Sequence, residues 1–348
     1  MLQRVHLSRL LGQRGLSRRH PARQPVRRRG LPSGPRSSAQ RRSLRSDPLC
    51  RGSLVTPPKP PLGAGPPPDW AVGWGEDRFG VFADVAVGFV TQRMRWIPPG
   101  AFMMGSPPDE PGRLVDEGPQ HRVELSQGFW LGDTPVTQAL WQAVVGDNPS
   151  CFRSPTRPVE QVSWADGQGF CERLNRQVRG LLVRLPTEAE WEYACRAGTT
   201  TSTWRGPLEI LGANNAPGLD AIAWYGGNSG VGFELDNGVD SSNWKEKQVA
   251  HERAGTRPVQ LKLANPWGLY DMLGNVLEWC EDAYATYAPG PQLDPVVQSG
   301  PDRAVRGGSW LSSARYTRAA CRGLYAPGLQ DDDLGFRLAI GPSAPADE

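Results

Sequence analysis

"RGGSWLSSARYTRAACRGLYAPGLQDDDLGFRLA" runs from Arg306 to Ala339. Its frame is Gly307-Gly308-Ser309-Trp310, then Arg318, Arg322, Pro327 and Leu334-Gly335-Phe336-Arg337. The residues between share no chemistry, so the stretch is either a site without reactive groups or a surface that tolerates many side chains. Gly307 and Gly308 allow tight turns. Trp310 reads as a large buried anchor. Arg318, Arg322 and Arg337 present rigid forks to carbonyls or carboxylates, and Leu334 with Phe336 closes a core strand. On that frame Leu311, Ser312, Ser313, Arg315, Tyr316, Thr317, Cys321, Gly323, Leu324, Tyr325, Leu329 and Gln330 are expected to face outward. Tyr316, Leu324 and Tyr325 would then form an adaptable patch of the kind that anchors partners. The alternative is an ordinary loop whose Leu and Tyr side chains pack inward.

The rest of the chain narrows the choice. It has 348 residues, with 41 Gly, 34 Pro and 13 Trp, which fits a loop-rich fold with short strands better than long helices. Residues 1–50 hold 13 of the 39 basic side chains and only one acidic residue, Asp47. The other 298 residues hold 35 of the 36 acidic ones and are net negative, a poor match for phosphate backbones. No nucleic-acid role is therefore expected of the folded part. Six scattered Cys show no CxxC and no Cys/His cluster, so no zinc site or redox dithiol is signalled. Cys171 and Cys195 read as buried fillers. No run of 18 apolar residues suggests a membrane span, and the basic N-terminus lacks a signal peptide's apolar core. A cytoplasmic location is expected.

Residues 1–65 are too poor in apolar side chains to offset chain entropy and read as a disordered tail, with a nucleic-acid arm or transit peptide as alternatives. A linker over 66–82, a single α+β domain over 83–342 and a short tail over 343–348 complete the expected organisation. "MRWIPPGAFMMGS" (94–106) predicts strand, turn and strand. "HRVELSQGFWLGDTPVT" (121–137) alternates apolar and polar residues as half-buried strands do. Thr137, Ser163 with Asp166, and Thr187 with Glu190 each cap a predicted helix. Two glycines weaken the second helix.

In order along the chain come "FMMGS", "EGPQHRVEL", "PVTQALW", "RPVEQVSW", "RLPTEAEWEYACRAGT", "NPWGLYDMLGNVLEWCED", "VRGGSW" and "LGFRLA". Together they resemble the formylglycine-generating enzyme (sulfatase-modifying factor) family over about 83–340. The resemblance implies a C-type-lectin-like fold with a small twisted antiparallel sheet, few helices and long irregular loops. Oxidases of the family turn a substrate Cys into formylglycine with two Cu(I)-binding cysteines after the Gly-Gly-Ser motif. Those positions here are Ser312 and Thr317, and Cys321 lies four residues further on. Cu(I) prefers thiolates, so no copper is expected. An iron-dependent branch uses three His, whereas only His121 and His251 lie in this domain, so no iron is expected either. His121 reads as a packing or hydrogen-bonding residue.

The frame from Gly307 to Arg337 also resembles the variable proteins of diversity-generating retroelements, which implies a bacterial origin and a mutated binding surface. An Asn codon altered at its adenines can yield the residues in the candidate slots, save Gln330, which would need a Lys codon. "DMLGNVLE" resembles the family's calcium loop. In that reading Asp271 and Glu278 give carboxylates, and Gly274 and Val276 give carbonyls, a donor set for Ca²⁺. The alternative is that Glu278 pairs with a nearby Arg. "IAWYGGNSG" (222–230) is no phosphate loop, since it lacks the following Lys and helix. The function expected is non-catalytic binding of a protein or other macromolecule through the C-terminal loops. The alternative is a formylglycine-generating or related oxidase acting on protein cysteine.

Overall fold

The computed structural model describes residues 68–341. The tails expected over 1–65 and 343–348 lie outside them. β1 (Gly73–Asp77), β2 (Gly80–Val87) and β3 (Val90–Ile97) pair antiparallel in succession. The ordered sheet thus begins inside the stretch expected to be a linker, and the domain starts before residue 83. Its stabilisation is not local. A β-carbon built on Gly75 would lie 3.1 Å from the Phe82 ring across the pair, so the glycine makes room for that ring. Asp77 is held by Arg95, 18 residues away, at 2.7 Å.

β3 ends at Ile97, and β4 (Gly100–Met104) follows, as the Pro-Gly turn predicts. β5 (His121–Leu125) and β6 (Phe129–Gly132) bury Val123, Leu125, Phe129 and Leu131, the four apolar positions of the alternating run. The main sheet has six strands, in the order β1, β2, β3, β6, Ala339–Ile340 and Val183–Arg184. A second sheet sets Arg322–Tyr325 beside Arg303–Arg306, then Leu277–Ala283 and Leu334–Gly335. The C-terminal segment therefore supplies strands to both sheets, which fixes it at either end.

The described residues contain three α-helices, each begun by its expected cap. In α1 (Gln138–Val145) the Thr137 hydroxyl accepts from Leu140 N–H, and Gly146 ends the helix at φ 100°. In α2 (Trp164–Gln177) Ser163 and Asp166 form a reciprocal box. One glycine that argued against α2 has a packing reason. A β-carbon on Gly167 would already touch Leu185 at 3.5 Å and Phe336 at 3.8 Å, so the helix lies close on the core. α3 (Glu188–Arg196) is boxed by Thr187 and Glu190, and all nine of its residues are buried. Gly198, the predicted stop, follows Ala197, and both take positive φ. Cys171 and Cys195 are buried, as expected of fillers. The result is the α+β architecture that the pattern predicts. No helix among the described residues is long and apolar enough to cross a membrane.

Replacing Thr187 by Ala removes the hydroxyl that receives Glu190 N–H. It should cost about 1 kcal/mol and lower the denaturation midpoint with an unchanged denaturant slope. An unchanged midpoint would show that the cap contributes nothing.

Candidate functional site

Beyond the strand Arg303–Arg306 the chain turns twice through Gly307 (φ 94°) and Gly308 (φ 72°). Neither turn has room for a side chain. A β-carbon on Gly307 would meet Met272 O at 2.9 Å, and one on Gly308 would meet Tyr316 O at 2.9 Å. Trp310 is buried against Phe152, with its Nε1 donating to Asp332 O at 3.1 Å. Ser309 Oγ donates to Asp333 Oδ2 at 2.7 Å, which ties the start of the loop to its end.

Beneath the loop lies a web of buried ion pairs. Arg322 donates to both oxygens of Glu188, at 2.6 and 2.7 Å. Arg337 does the same to Glu278, at 2.7 and 2.8 Å, and Trp191 Nε1 adds a third bond at 2.7 Å. Arg318 meets Glu117 and Glu110. Arg306 meets Glu192, which also holds Arg196 at 2.8 Å. Burial works against the Glu188 charge, but Arg322 and then Arg306 outweigh it and hold the carboxyl below its ordinary value. Burial works equally against the Arg318 and Arg322 cations, and their glutamates raise both above arginine's usual value. Arg318, Arg322 and Arg337 were foreseen, but Arg306 and the partners Glu117, Glu188 and Glu192 were not. The available signal was two glutamates four residues apart on one face of α3, unusual in a helix with no exposed side.

The candidate surface is smaller than expected. Leu311, Ser313, Arg315, Tyr316, Leu324, Tyr325 and Leu329 are half-buried, and Gln330 is exposed. Ser312, Thr317, Cys321 and Gly323 do not face outward, which corrects the expectation at four positions. Ser312 Oγ accepts from Ser309 N–H at 3.0 Å, and its carbonyl accepts from Gly226 N–H. Thr317, fully buried, donates to Ser313 O at 3.3 Å. Cys321 lies in the interior, where burial pushes its thiol up to about 12. Gly323 pairs with Val305 inside the second sheet. The patch of Tyr316, Leu324 and Tyr325 does not form as one face. Leu324 and Tyr325 are consecutive in a strand and point to opposite sides, and Tyr325 packs edge-on to Trp279, 6.3 Å between centres.

The two carboxylates proposed as calcium donors are committed to other bonds. Both Glu278 oxygens are taken by Arg337 and Trp191. Asp271 accepts from Gln260 N–H at 2.9 Å and from Asn275 at 3.3 Å. Gly274 donates its N–H to Gly307 O, and Val276 is buried. Arg337 therefore already neutralises the Glu278 carboxylate, the pairing that was the alternative to a calcium ligand. Copper has no fit, since the two positions offer alcohols, each in an internal hydrogen bond. His121 bonds Pro119 O at 3.0 Å and meets the Tyr287 ring, the packing role expected of it, while His251 pairs with Ser241 at 2.7 Å.

The family model described as "Sulfatase-modifying factor enzyme 1-like domain" matches residues 79–342. Among curated proteins, the chaperone protein LppX of Paenibacillus barcinonensis is 30% identical over 62% of this chain and 81% of its own length. The formylglycine-generating enzyme of Mus musculus is 32% identical over 65% of this chain, which spans 55% of that enzyme. Among solved structures, Treponema denticola variable protein 1 aligns with a TM-score of 0.59 and 31% identity, over 75% of this chain and 99% of that one.

Removing one partner of a buried pair strands the other charge. Arg322→Met should therefore cost about 3–5 kcal/mol, read as a loss of denaturation midpoint. A cost near zero would mean that the pair is dispensable. The pairing also sets a pH dependence. Glu188 titrates below its ordinary 4.5 when folded, so its contribution is whole above that pH and is lost as pH falls through the lowered value. The acid decline in stability should be shallower in Arg322→Met than in the parent. Parallel declines would remove Glu188 as a cause.

Proposed function

Since the chain belongs to the sulfatase-modifying factor enzyme 1-like family, we propose that it is a non-catalytic member that binds a protein or other macromolecule through its C-terminal loops. One observation carries this reading. The positions at which the family's oxidases hold Cu(I) by two cysteines are Ser312 and Thr317, and both hydroxyls are buried in internal hydrogen bonds. Hard neutral alcohols are poor ligands for a soft monovalent ion. Cys321 does not replace them, because its buried thiol resists forming the thiolate that binds metal.

The likeness to a variable protein over nearly that protein's whole length supports the binding side of the proposal. The physical arrangement suits it as well. Gly307, Gly308, Trp310 and four paired arginines hold the backbone without help from Leu311, Tyr316 or Leu324, whose side chains are partly exposed. Such a surface can change its side chains and keep its shape. The second reading, oxidation of protein cysteine, is favoured by the relative named formylglycine-generating enzyme. It requires chemistry that the donor set at 312 and 317 does not provide.

Two experiments test the proposal. Purified protein supplied with Cu(I) should not convert a cysteine peptide to formylglycine, whereas Ser312→Cys combined with Thr317→Cys should gain Cu(I) binding. Turnover by the parent chain would overturn the proposal. In the encoding genome, a reverse transcriptase and an adenine-substituted near-copy of the 3′ end should lie nearby, and partner capture should fail in the Leu311→Ala, Tyr316→Ala, Leu324→Ala triple variant at a nearly unchanged Tm. Collapse of that variant's fold would show that these residues are core and not surface.

A further inference from the structure

Two buried arginines are bonded unlike the rest. Several arginines of the described chain leave only a lone Nε without a partner. Arg157 and Arg257 each leave both Nε and Nη1 buried without a hydrogen bond. They lie together. Their Cζ atoms are 5.1 and 5.8 Å from the centre of the Phe233 ring, and both face the Glu234 carboxylate, at 2.5 and 3.8 Å. Arg257 also stacks 4.7 Å over Trp224. Trp224 Nε1 is a further buried donor without a partner, as is the Thr256 hydroxyl beside Arg257.

The charge is as incomplete as the hydrogen bonding. Two guanidinium groups share one carboxylate, and Glu234 is half exposed, with 52% of its side chain open to solvent. Glu160 also faces Arg157, but burial lifts its carboxyl to about 8, which weakens it as a counter-charge. Burial holds both arginines below their usual value despite Glu234. Lys262, 3.9 Å from the Trp224 face, adds positive charge and is paired with Asp220. An unmet buried donor costs about 1–3 kcal/mol, and planar forks of this kind suit bidentate carboxylates.

We propose that Arg157 and Arg257 form a clamp for an acidic residue of a partner polypeptide, and that Glu234 is an internal occupant which the partner displaces. The chain's own segment shows what fits. In Phe233-Glu234-Leu235 an acid sits between two apolar residues, and both of these pack on the cluster of Phe152 and Trp310. Leu311, the first residue of the candidate surface, packs on the same cluster. The clamp thus continues that surface, and the inference rests on the binding reading above.

The test uses the full chain. In Glu234→Ala the vacated clamp should bind acetate, so Tm should rise saturably with acetate but not with chloride at equal ionic strength, while the parent does not respond. A hexaglutamate peptide should bind the parent, and bind Glu234→Ala about tenfold more tightly once the internal competitor is gone. Hexaglutamine should bind neither. Adding Arg257→Gln should abolish both effects, and Glu234→Gln repeats the readouts should the Ala variant fold poorly. The proposal is overturned if acetate moves parent and variant alike, if hexaglutamate binds neither, or if binding survives Arg257→Gln. The loop triple variant separates the two ideas. It should keep hexaglutamate binding while partner capture is lost, so each can fail without the other.

Discussion

The pairing of buried arginines with buried glutamates beneath residues 306–337 is the constraint on which the rest of the structure depends. Taking either charge out of water costs several kcal/mol, and the attraction returns this only when the remaining hydrogen bonds are also met. Here most of them are met by loop backbone, with the buried Arg306 Nε the exception. Arg306 also donates to Ala319 O, Arg318 to Gly112 O, Arg322 to Asp116 O and Ala285 O, and Arg337 to Gly132 O and Tyr270 O. Each guanidinium thus ties a carboxylate on one segment to carbonyls on others. Short strands and irregular chain have few ladder bonds with which to satisfy their amides and carbonyls. The ion pairs act as the junctions of a fold that has little regular structure.

The same pairing explains what the outer residues are free to do. A loop held from below by charges and closed by Ser309 and Trp310 does not need its partly exposed side chains to keep its path. That freedom has a boundary. A β-carbon on Gly308 would come 3.2 Å from Thr317 Oγ1, so position 317 is part of the turn's packing. Ser312 takes the Ser309 N–H and so helps to define the turn. Leu311, Tyr316 and Leu324 stay partly exposed, whereas 312, 317, 321 and 323 are buried in the packing.

Much of the frame was legible in the sequence because it is local. Caps, turns, the alternating run before residue 132 and the wide spacing of Gly, Trp and Arg all depend on nearby residues, and each appears where the pattern places it. The misses come from contacts between distant segments. β1 shows no alternation of its own and is secured by Phe82 and Arg95. The burial of Ser312 and Thr317 follows from a fold-back onto Gly226 and Gly308, which spacing alone does not reveal. Glu188 reads as a first-turn acid suited to a helix start, yet its partner Arg322 lies 134 residues away.

The contrast between saturated and unsaturated arginines separates structure from candidate function. Arg322 and Arg337 spend their forks on two carboxylate oxygens and then on carbonyls, which leaves them nothing to offer a ligand. Arg157 and Arg257 share a single half-exposed carboxylate and keep four buried N–H-bearing nitrogens without a hydrogen bond. A protein that needed these two only for packing could replace them with apolar side chains and avoid the desolvation cost. Retaining two neighbouring cations where one anion is present is an unfavourable choice for folding alone. It becomes intelligible when the second anion arrives from outside. An acidic body that would repel a negatively charged partner at long range then needs a local positive site to hold one.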